Sequence, residues 1–204
     1  MKIGIYGGTF DPPHNGHVHA CKCFIDQVEM DKLYIIPTSI PPHKERESRV
    51  SGEDRIEMAR LAFSKISPKI VFSDVELKRA GKSYTSDTIK HFLSPEIEEI
   101  FLLCGTDMFV TLDEWHEFVY IFENSTIVCI RREHDNIFDK LIADKVDEYR
   151  EKYNAKIRFI SAQAIDISSS QIRRMINDES YALDNLPSDV YEYVKARGLY
   201  NGQD

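Results

Sequence analysis

No apolar run in the 204 residues is long enough to cross a bilayer. The longest, such as 100–104 and 118–122, stop far short of the roughly 18 residues that a membrane-spanning helix needs. Basic residues are also in short supply. There are 26 Lys and Arg against 34 Asp and Glu, a formal net charge of −8, and this argues against sequence-independent nucleic-acid binding, which needs a basic face to displace counterions. Neither a membrane nor a nucleic acid is expected as a partner. The four cysteines show no zinc or redox spacing. Cys21 and Cys23 lie two apart in a helical stretch and point apart, and Cys104 and Cys129 fall in apolar strands. The start of the chain lacks the basic region and small-residue cleavage site of a secretory signal, so a cytoplasmic protein is expected. Repeats, low-complexity tracts and Gly/Ser linkers are missing too, and one domain over 1–204 is the economical reading. The oligomeric state is not fixed, and a homo-oligomer is left open.

What is present is an alternation of short β-prone runs and helical stretches. Strands are predicted at 2–6, 33–37, 70–73, 99–104, 126–131 and 156–160. A helix is predicted over 17–30, and another after Ser51, which has near capping-box spacing to Asp54. Ile56, Ala59, Leu61, Ala62 and Phe63 give this second helix an apolar face, and it ends near Pro68. Such alternation implies an α/β fold, Rossmann-like and doubly wound, with a mostly parallel sheet, helices on both faces and a small helical C-terminal part.

The first motif is Gly7-Gly8-Thr9-Phe10-Asp11-Pro12-Pro13-His14-Asn15-Gly16-His17, directly after the first strand and at the start of a helix. Glycines permit close backbone approach, and a helix amino terminus offers unpaired N–H groups, so polyphosphate can bind there. His14 and His17 are three apart and project to the same side once the helix has begun at Asn15, with Gly16 leaving room for a ligand. The second motif is Ile167-Ser168-Ser169-Ser170-Gln171-Ile172-Arg173-Arg174. Ser168 and Gln171 have capping-box spacing, while Ile172, Met175 and Ile176 supply an apolar face. An ordinary capped helix with solvated arginines explains that spacing equally well.

The first motif resembles the nucleotidyltransferase-superfamily signature, an FDPxH run closing on HxGH, and the second is similar to that superfamily's ISSTxIR element. The resemblance implies that Gly7, Gly8, Thr9, Phe10, Gly16, Ile167 and Ser168 form the ATP site. It gives His14 and His17 the task of binding ATP phosphates and stabilising the transition state, and it gives phosphate contacts to Arg173 and Ser170. Ser170 stands where threonine is usual and keeps the hydroxyl.

The middle of the chain must name the acceptor. Pro41-Pro42-His43-Lys44, Ser83-Tyr84-Thr85, Gly105-Thr106-Asp107 and Trp115 together resemble the bacterial nicotinate mononucleotide adenylyltransferase family over nearly the whole chain. That family transfers AMP from ATP to nicotinate mononucleotide, and Mg²⁺ is expected to travel with ATP. The resemblance implies that Trp115 stacks on the pyridine, Thr85 reads its carboxylate, Asp107 beside Gly105 meets the ribose, and Lys44 acts near the transferring phosphates. A core tryptophan and helix-capping Thr85 and Asp107 are the alternatives. His43 and Arg46 have weaker claims than Lys44. Arg131 and Arg132 resemble a position near the adenosine, with solvated strand-end arginines equally consistent, and Arg174 is read as facing solvent.

The acceptor phosphate is already anionic at pH 7, so catalysis needs alignment and charge neutralisation rather than a general base. His14, His17, Lys44 and Arg173 fit that role. A phosphopantetheine-directed relative, a catalytically silent nucleotide-binding regulator and a synthetase-like RNA enzyme are the rivals. Trp115, the intact motifs and the acidic charge respectively oppose them.

Overall fold

The computed structural model describes residues 1–40, 50–79, 81–132, 139–163 and 165–201. Six strands, β1 (Lys2–Gly8), β2 (Lys32–Pro37), β3 (Ile70–Phe72), β4 (Glu99–Gly105), β5 (Thr126–Arg132) and β6 (Lys156–Ala162), form one sheet. Their order is β3-β2-β1-β4-β5-β6 and every neighbouring pair is parallel. All six predicted strands are found, with ends shifted by at most two residues.

The strands read as apolar runs because both faces are covered. Side chains alternate along them. Ile3, Ile5, Ile100, Leu102, Ile127 and Cys129 face one hydrophobic cluster, whereas Tyr6, Leu33, Ile35, Phe101, Leu103 and Val128 face the other. Helices α1 (Asn15–Gln27) and α2 (Gly52–Phe63) cover the second face. The first is covered by α4 (Thr85–Phe92), α5 (Thr106–Phe109), α6 (Phe118–Asn124) and α7 (Asp139–Tyr153). A single turn, α3 (Val75–Lys78), precedes α4. This is the doubly wound arrangement expected from the alternation, and the strand order reverses between β1 and β4, where such sheets open a crevice at their carboxyl ends.

Three short helices close the chain: α8 (Ser169–Arg174), α9 (Glu179–Asn185) and α10 (Ser188–Arg197). They join the core shared by α1 and α2. Two details of the expected helix faces are corrected. Met175 caps α8 and is exposed, because the helix ends before its turn can bring that residue inward. On α2 the buried stripe is Asp54, Arg55, Met58, Ala59, Ala62 and Phe63, at 3–4-residue helical spacing, and Ile56 and Leu61 are only half-buried. The stripe includes two charged residues because each has partners. Cys104 and Cys129 are cross-strand neighbours and are both free thiols. Their hydrogen bond, then burial, holds the Cys104 thiol well above its ordinary value.

Asp54 ties α2 to α10. Its carboxylate accepts from Ser51 Oγ at 2.7 Å, Tyr193 Oη at 2.8 Å and Arg197 Nε at 3.2 Å. Burial works against the charge, but the hydrogen bonds from Ser51 and Tyr193 and the Arg197 cation outweigh it and hold the carboxyl below the usual range. A depressed folded pKa stabilises the fold above the unfolded value of about 3.9, and that stability is lost as pH falls through the folded value. Asp54→Asn should therefore lower Tm near pH 6 and flatten its fall between about pH 5 and pH 2.5. Thermal melts across that range check this, and an unchanged pH profile would show that Asp54 carries none of it.

Candidate active site

The segment 9–14 begins where β1 ends, and its chemistry is unusual. Asp11-Pro12 and Pro12-Pro13 are peptide units with carbonyls but no N–H. A buried carbonyl without a donor is costly, and both are satisfied from far along the chain. Arg173 Nη1 donates to the Asp11 carbonyl at 2.7 Å, and Ser169 Oγ to the Pro12 carbonyl at 2.9 Å. Arg55 Nη1, on α2, donates to the carbonyls of Thr9 at 3.0 Å and Thr38 at 2.5 Å. Burial draws the Arg55 guanidinium below its ordinary pKa, with Asp11 and Tyr200 pulling the other way. Phe10 takes a left-handed φ of 48°, uncommon for an aromatic residue. Its ring is buried and sits edge-on to His17, with centroids 5.2 Å apart. Phe10 can therefore meet a nucleotide only through its backbone.

His14 is the N-cap of α1, and its ring stacks on that of His17 with centroids 3.7 Å apart. The His14 backbone N–H donates to His17 Nδ1 at 3.2 Å. Since a backbone N–H can only donate, Nδ1 of His17 is unprotonated and the ring hydrogen of the neutral imidazole sits on Nε2. Gly16 borders the cleft, and a Cβ there would also stand 3.0 Å from His14 Nδ1, so the missing side chain accommodates the histidine ring as well. At Gly7 a Cβ would meet nothing within 4 Å, and there the chain does border open cleft.

The capping box of α8 forms as expected. Gln171 N–H donates to Ser168 Oγ at 3.2 Å, and Ser168 N–H to Gln171 Oε1 at 3.0 Å. Ser170 Oγ accepts from Arg173 Nη2 at 3.1 Å, so one guanidinium joins the loop carbonyl to the serine hydroxyl. Arg174 is exposed.

A second group of side chains lines the same cleft. Thr85 is the first residue of α4, whose N-cap is Tyr84, so it is not the helix cap. Asp107 is the second residue of α5, whose N-cap is Gly105, and it is exposed at the carboxyl end of β4. Trp115 follows a 3₁₀ turn (Leu112–Glu114). It is half-buried, with one part against the core and another on the cleft. Tyr84 and His116 rings lie 4.3 Å apart beside it. Glu76, also on the cleft, is buried and accepts from Thr88 Oγ1 at 2.7 Å. Burial pushes its carboxyl up, against the pull of Thr88, Ser83, Arg79 and Thr38.

Together the two groups border a cleft of about 1100 Å³, above the usual range for a single small ligand and roomy enough for two nucleotides. All the predicted site residues among those described line it: Gly7, Gly8, Thr9, Phe10, His14, Gly16, His17, Thr85, Gly105, Asp107, Trp115, Ile167, Ser168, Ser170 and Arg173. Lys44, His43 and Arg46 lie outside the described residues. Arg131 pairs with Asp139 of α7 and does not line the cleft, and nothing is described of the Arg132 side chain. Sequence reasoning missed Ser169, Arg55, Glu76 and His116. No local signal in the sequence could have found Arg55, whose helix also carries the exposed Arg60.

A family model for cytidylyltransferase-like proteins matches residues 5–175. A Clostridium tetani protein named probable nicotinate-nucleotide adenylyltransferase is 33% identical over 201 residues, covering 98% of each chain. A Desulfatibacillum aliphaticivorans protein of the same name is 32% identical over 217 residues, covering 98% of this chain and 100% of its own. Among solved structures, Plasmodium falciparum nicotinic acid mononucleotide adenylyltransferase complexed with NaAD superposes with a TM-score of 0.78 at 21% identity, covering 99% of this chain and 98% of that one. The same enzyme complexed with APC gives 0.76 at 22% identity, over 99% and 98%. At those identities the likeness is one of fold.

Nitrogen-15 NMR at pH 8 should show His17 protonated on Nε2 alone. Gly16→Ala should shift the imidazole resonances of both histidines while Tm stays within about 2 °C, because alanine regains roughly 0.5–1 kcal/mol as a helix former. Unshifted histidines would mean that the ring tolerates the methyl group.

Proposed function

We infer how the cleft works from one premise: the chain belongs to the nicotinate-nucleotide adenylyltransferases, within the cytidylyltransferase-like family, and transfers AMP from ATP to nicotinate mononucleotide. The products are pyrophosphate and nicotinate adenine dinucleotide, the dinucleotide skeleton used in NAD biosynthesis.

In our reading ATP lies across the loop 7–17 and α8. The observation that carries it is the meeting of the two motifs, with Arg173 bonded to the Asp11 carbonyl beside the stacked pair His14 and His17. Nicotinate mononucleotide takes the Thr85–Asp107–Trp115 side. Its phosphate is largely dianionic at pH 7, and an oxygen of it attacks the α-phosphorus of ATP. The new P–O bond forms as the bond to the β-phosphate bridging oxygen breaks, and pyrophosphate leaves with that electron pair. The protein has no proton to remove, so its contribution is alignment and stabilisation of charge on the leaving oxygens. His17 Nε2–H, the α1 amino terminus and the Arg173 guanidinium are the donors proposed for that task, and Lys44 is proposed to add a cation.

Mg²⁺ enters as MgATP, held through phosphate oxygens and water, which suits its reluctance to shed its hydration shell. The donor set fits this role. Among the described residues no three His, Cys, Asp or Glu side chains group to hold a metal ion, and the motif carboxylate, Asp11, is buried and already accepts from Tyr200. We also propose that the protein works in the cytoplasm. Among the described residues no helix is long and apolar enough to cross a membrane.

Incubation with MgATP and either nicotinate or nicotinamide mononucleotide, followed by pyrophosphate release, tests the reaction. Turnover of the acid is expected, and no release with either would overturn it. His17→Ala should lower kcat by roughly a hundredfold or more. Trp115→Ala should raise KM for the mononucleotide by up to about thirtyfold, the worth of a desolvated stacking and cation–π contact of about 2 kcal/mol, and leave KM for ATP nearly unchanged. A common rise in both KM values would assign Trp115 to the core alone.

A further inference from the structure

We propose that the C-terminal turn is a working part of the nucleotide site. In it Tyr200 is a positioning residue that acts through Asp11 on the loop carrying His14. The inference rests on the reading above, that this loop holds ATP.

Tyr200 lies in the turn after α10, and the chain folds back there through two left-handed residues, Gly198 at φ 61° and Tyr200 at φ 66°. Backbone bonds close the turn on α10, from Gly198 N–H to the Lys195 carbonyl at 3.2 Å and from Leu199 N–H to the Val194 carbonyl at 3.0 Å. A tyrosine in the left-handed region is uncommon, so its surroundings must hold it there. Its ring is packed in the core against α2 and the C-terminal helices, and its hydroxyl, 189 residues from the loop in sequence, donates to Asp11 Oδ1 at 2.7 Å. Both residues are buried. Burial, then the Asp11 charge, pushes the Tyr200 hydroxyl far above its ordinary range, so it remains a donor at any working pH.

Asp11 is therefore held through both its backbone and its side chain. Its carbonyl is held by Arg173, and its carboxylate by Tyr200. Arg55 and Arg173 both lie within electrostatic reach of this hydroxyl, and Arg55 within reach of Asp11. Without the hydroxyl, a buried carboxylate that has lost a short hydrogen bond turns toward the nearest cation. That movement draws on Arg55, whose guanidinium also holds the Thr9 carbonyl, and shifts the loop between the strained Phe10 and His14, which Arg173 also holds at the Asp11 carbonyl. The ring itself can stay in place, so the effect belongs to one oxygen atom.

The test compares two tyrosines that make similar bonds. Tyr200→Phe removes the hydroxyl that reaches the loop. Tyr193→Phe removes one that donates to Asp54 at 2.8 Å and joins α10 to α2 away from the loop. Each should lower Tm by about 2–4 °C. Affinity for a non-hydrolysable methylene analogue of MgATP, measured by calorimetry, should fall by roughly tenfold in Tyr200→Phe and stay within about twofold of wild type in Tyr193→Phe. KM for nicotinate mononucleotide should stay near the wild-type value in both. If Tyr200→Phe does not fold, Asp11→Ala removes the same bond from the loop side and is read in the same way. Wild-type affinity in Tyr200→Phe, or an equal loss in both variants, would overturn the proposal, as would a wild-type protein that binds no nucleotide. Wild-type protein that binds the analogue but makes no dinucleotide would overturn the reading of the reaction and leave the affinity comparison to decide this one.

Discussion

The site depends on two consecutive peptide units that have carbonyls and no N–H. The Asp11-Pro12-Pro13 run turns the chain from β1 into α1, but its oxygens need donors that a proline-rich loop cannot provide for itself. Those donors arrive from α8, as Arg173 and Ser169, with Arg55 holding the preceding Thr9 carbonyl. In the folded protein these bonds tie the first motif to the last third of the chain. The two motifs, about 150 residues apart, are one object because one completes the hydrogen bonds of the other.

The sheet explains why they can meet. With order β3-β2-β1-β4-β5-β6, the ends of β1 and β4 diverge where the connections turn to opposite faces, and the crevice there is open to solvent. Gly7 and Gly8 close β1, and Gly105 closes β4. The residues after them leave in different directions, toward α1 on one face and α5 on the other. A two-substrate reaction suits that geometry, since each half of the sheet can supply one binding surface. The rigidity comes from cores on both faces rather than from the loops.

The strands were legible because burial on both faces makes them near-continuous apolar runs bounded by turn residues. The capping box at Ser168 was legible because it depends on a neighbour three residues away, whereas the helix predicted over 17–30 runs from Asn15 to Gln27. Bonds that close over long separations were not. Nothing local distinguishes Arg55 from a solvated helix arginine, since its worth lies in the carbonyls of Thr9 and Thr38. The contact of Gly16 with the His14 ring was not legible either, because it depends on the ring orientation set by the stack with His17. Met175 and Ile56 show the limit of periodicity, which gives a face but not how far a neighbour extends over it.

A protein with net charge −8 that takes two anionic nucleotides must concentrate its attraction locally. Of the two cations that hold the loop among the described residues, Arg55 is buried and committed to backbone carbonyls, and Arg173 is partly committed to another. Much of the remaining donor capacity is neutral: the His17 Nε2–H implied by its bond at Nδ1, the serine hydroxyls and the backbone at α1. Neutral donors held in place stabilise charge at the moment it develops and hold resting polyphosphate less tightly than a cluster of free lysines would. Pyrophosphate is more highly charged as a product than it was as part of ATP, so fixed neutral donors favour its release more than cations would. The clamps on the loop keep those donors aligned.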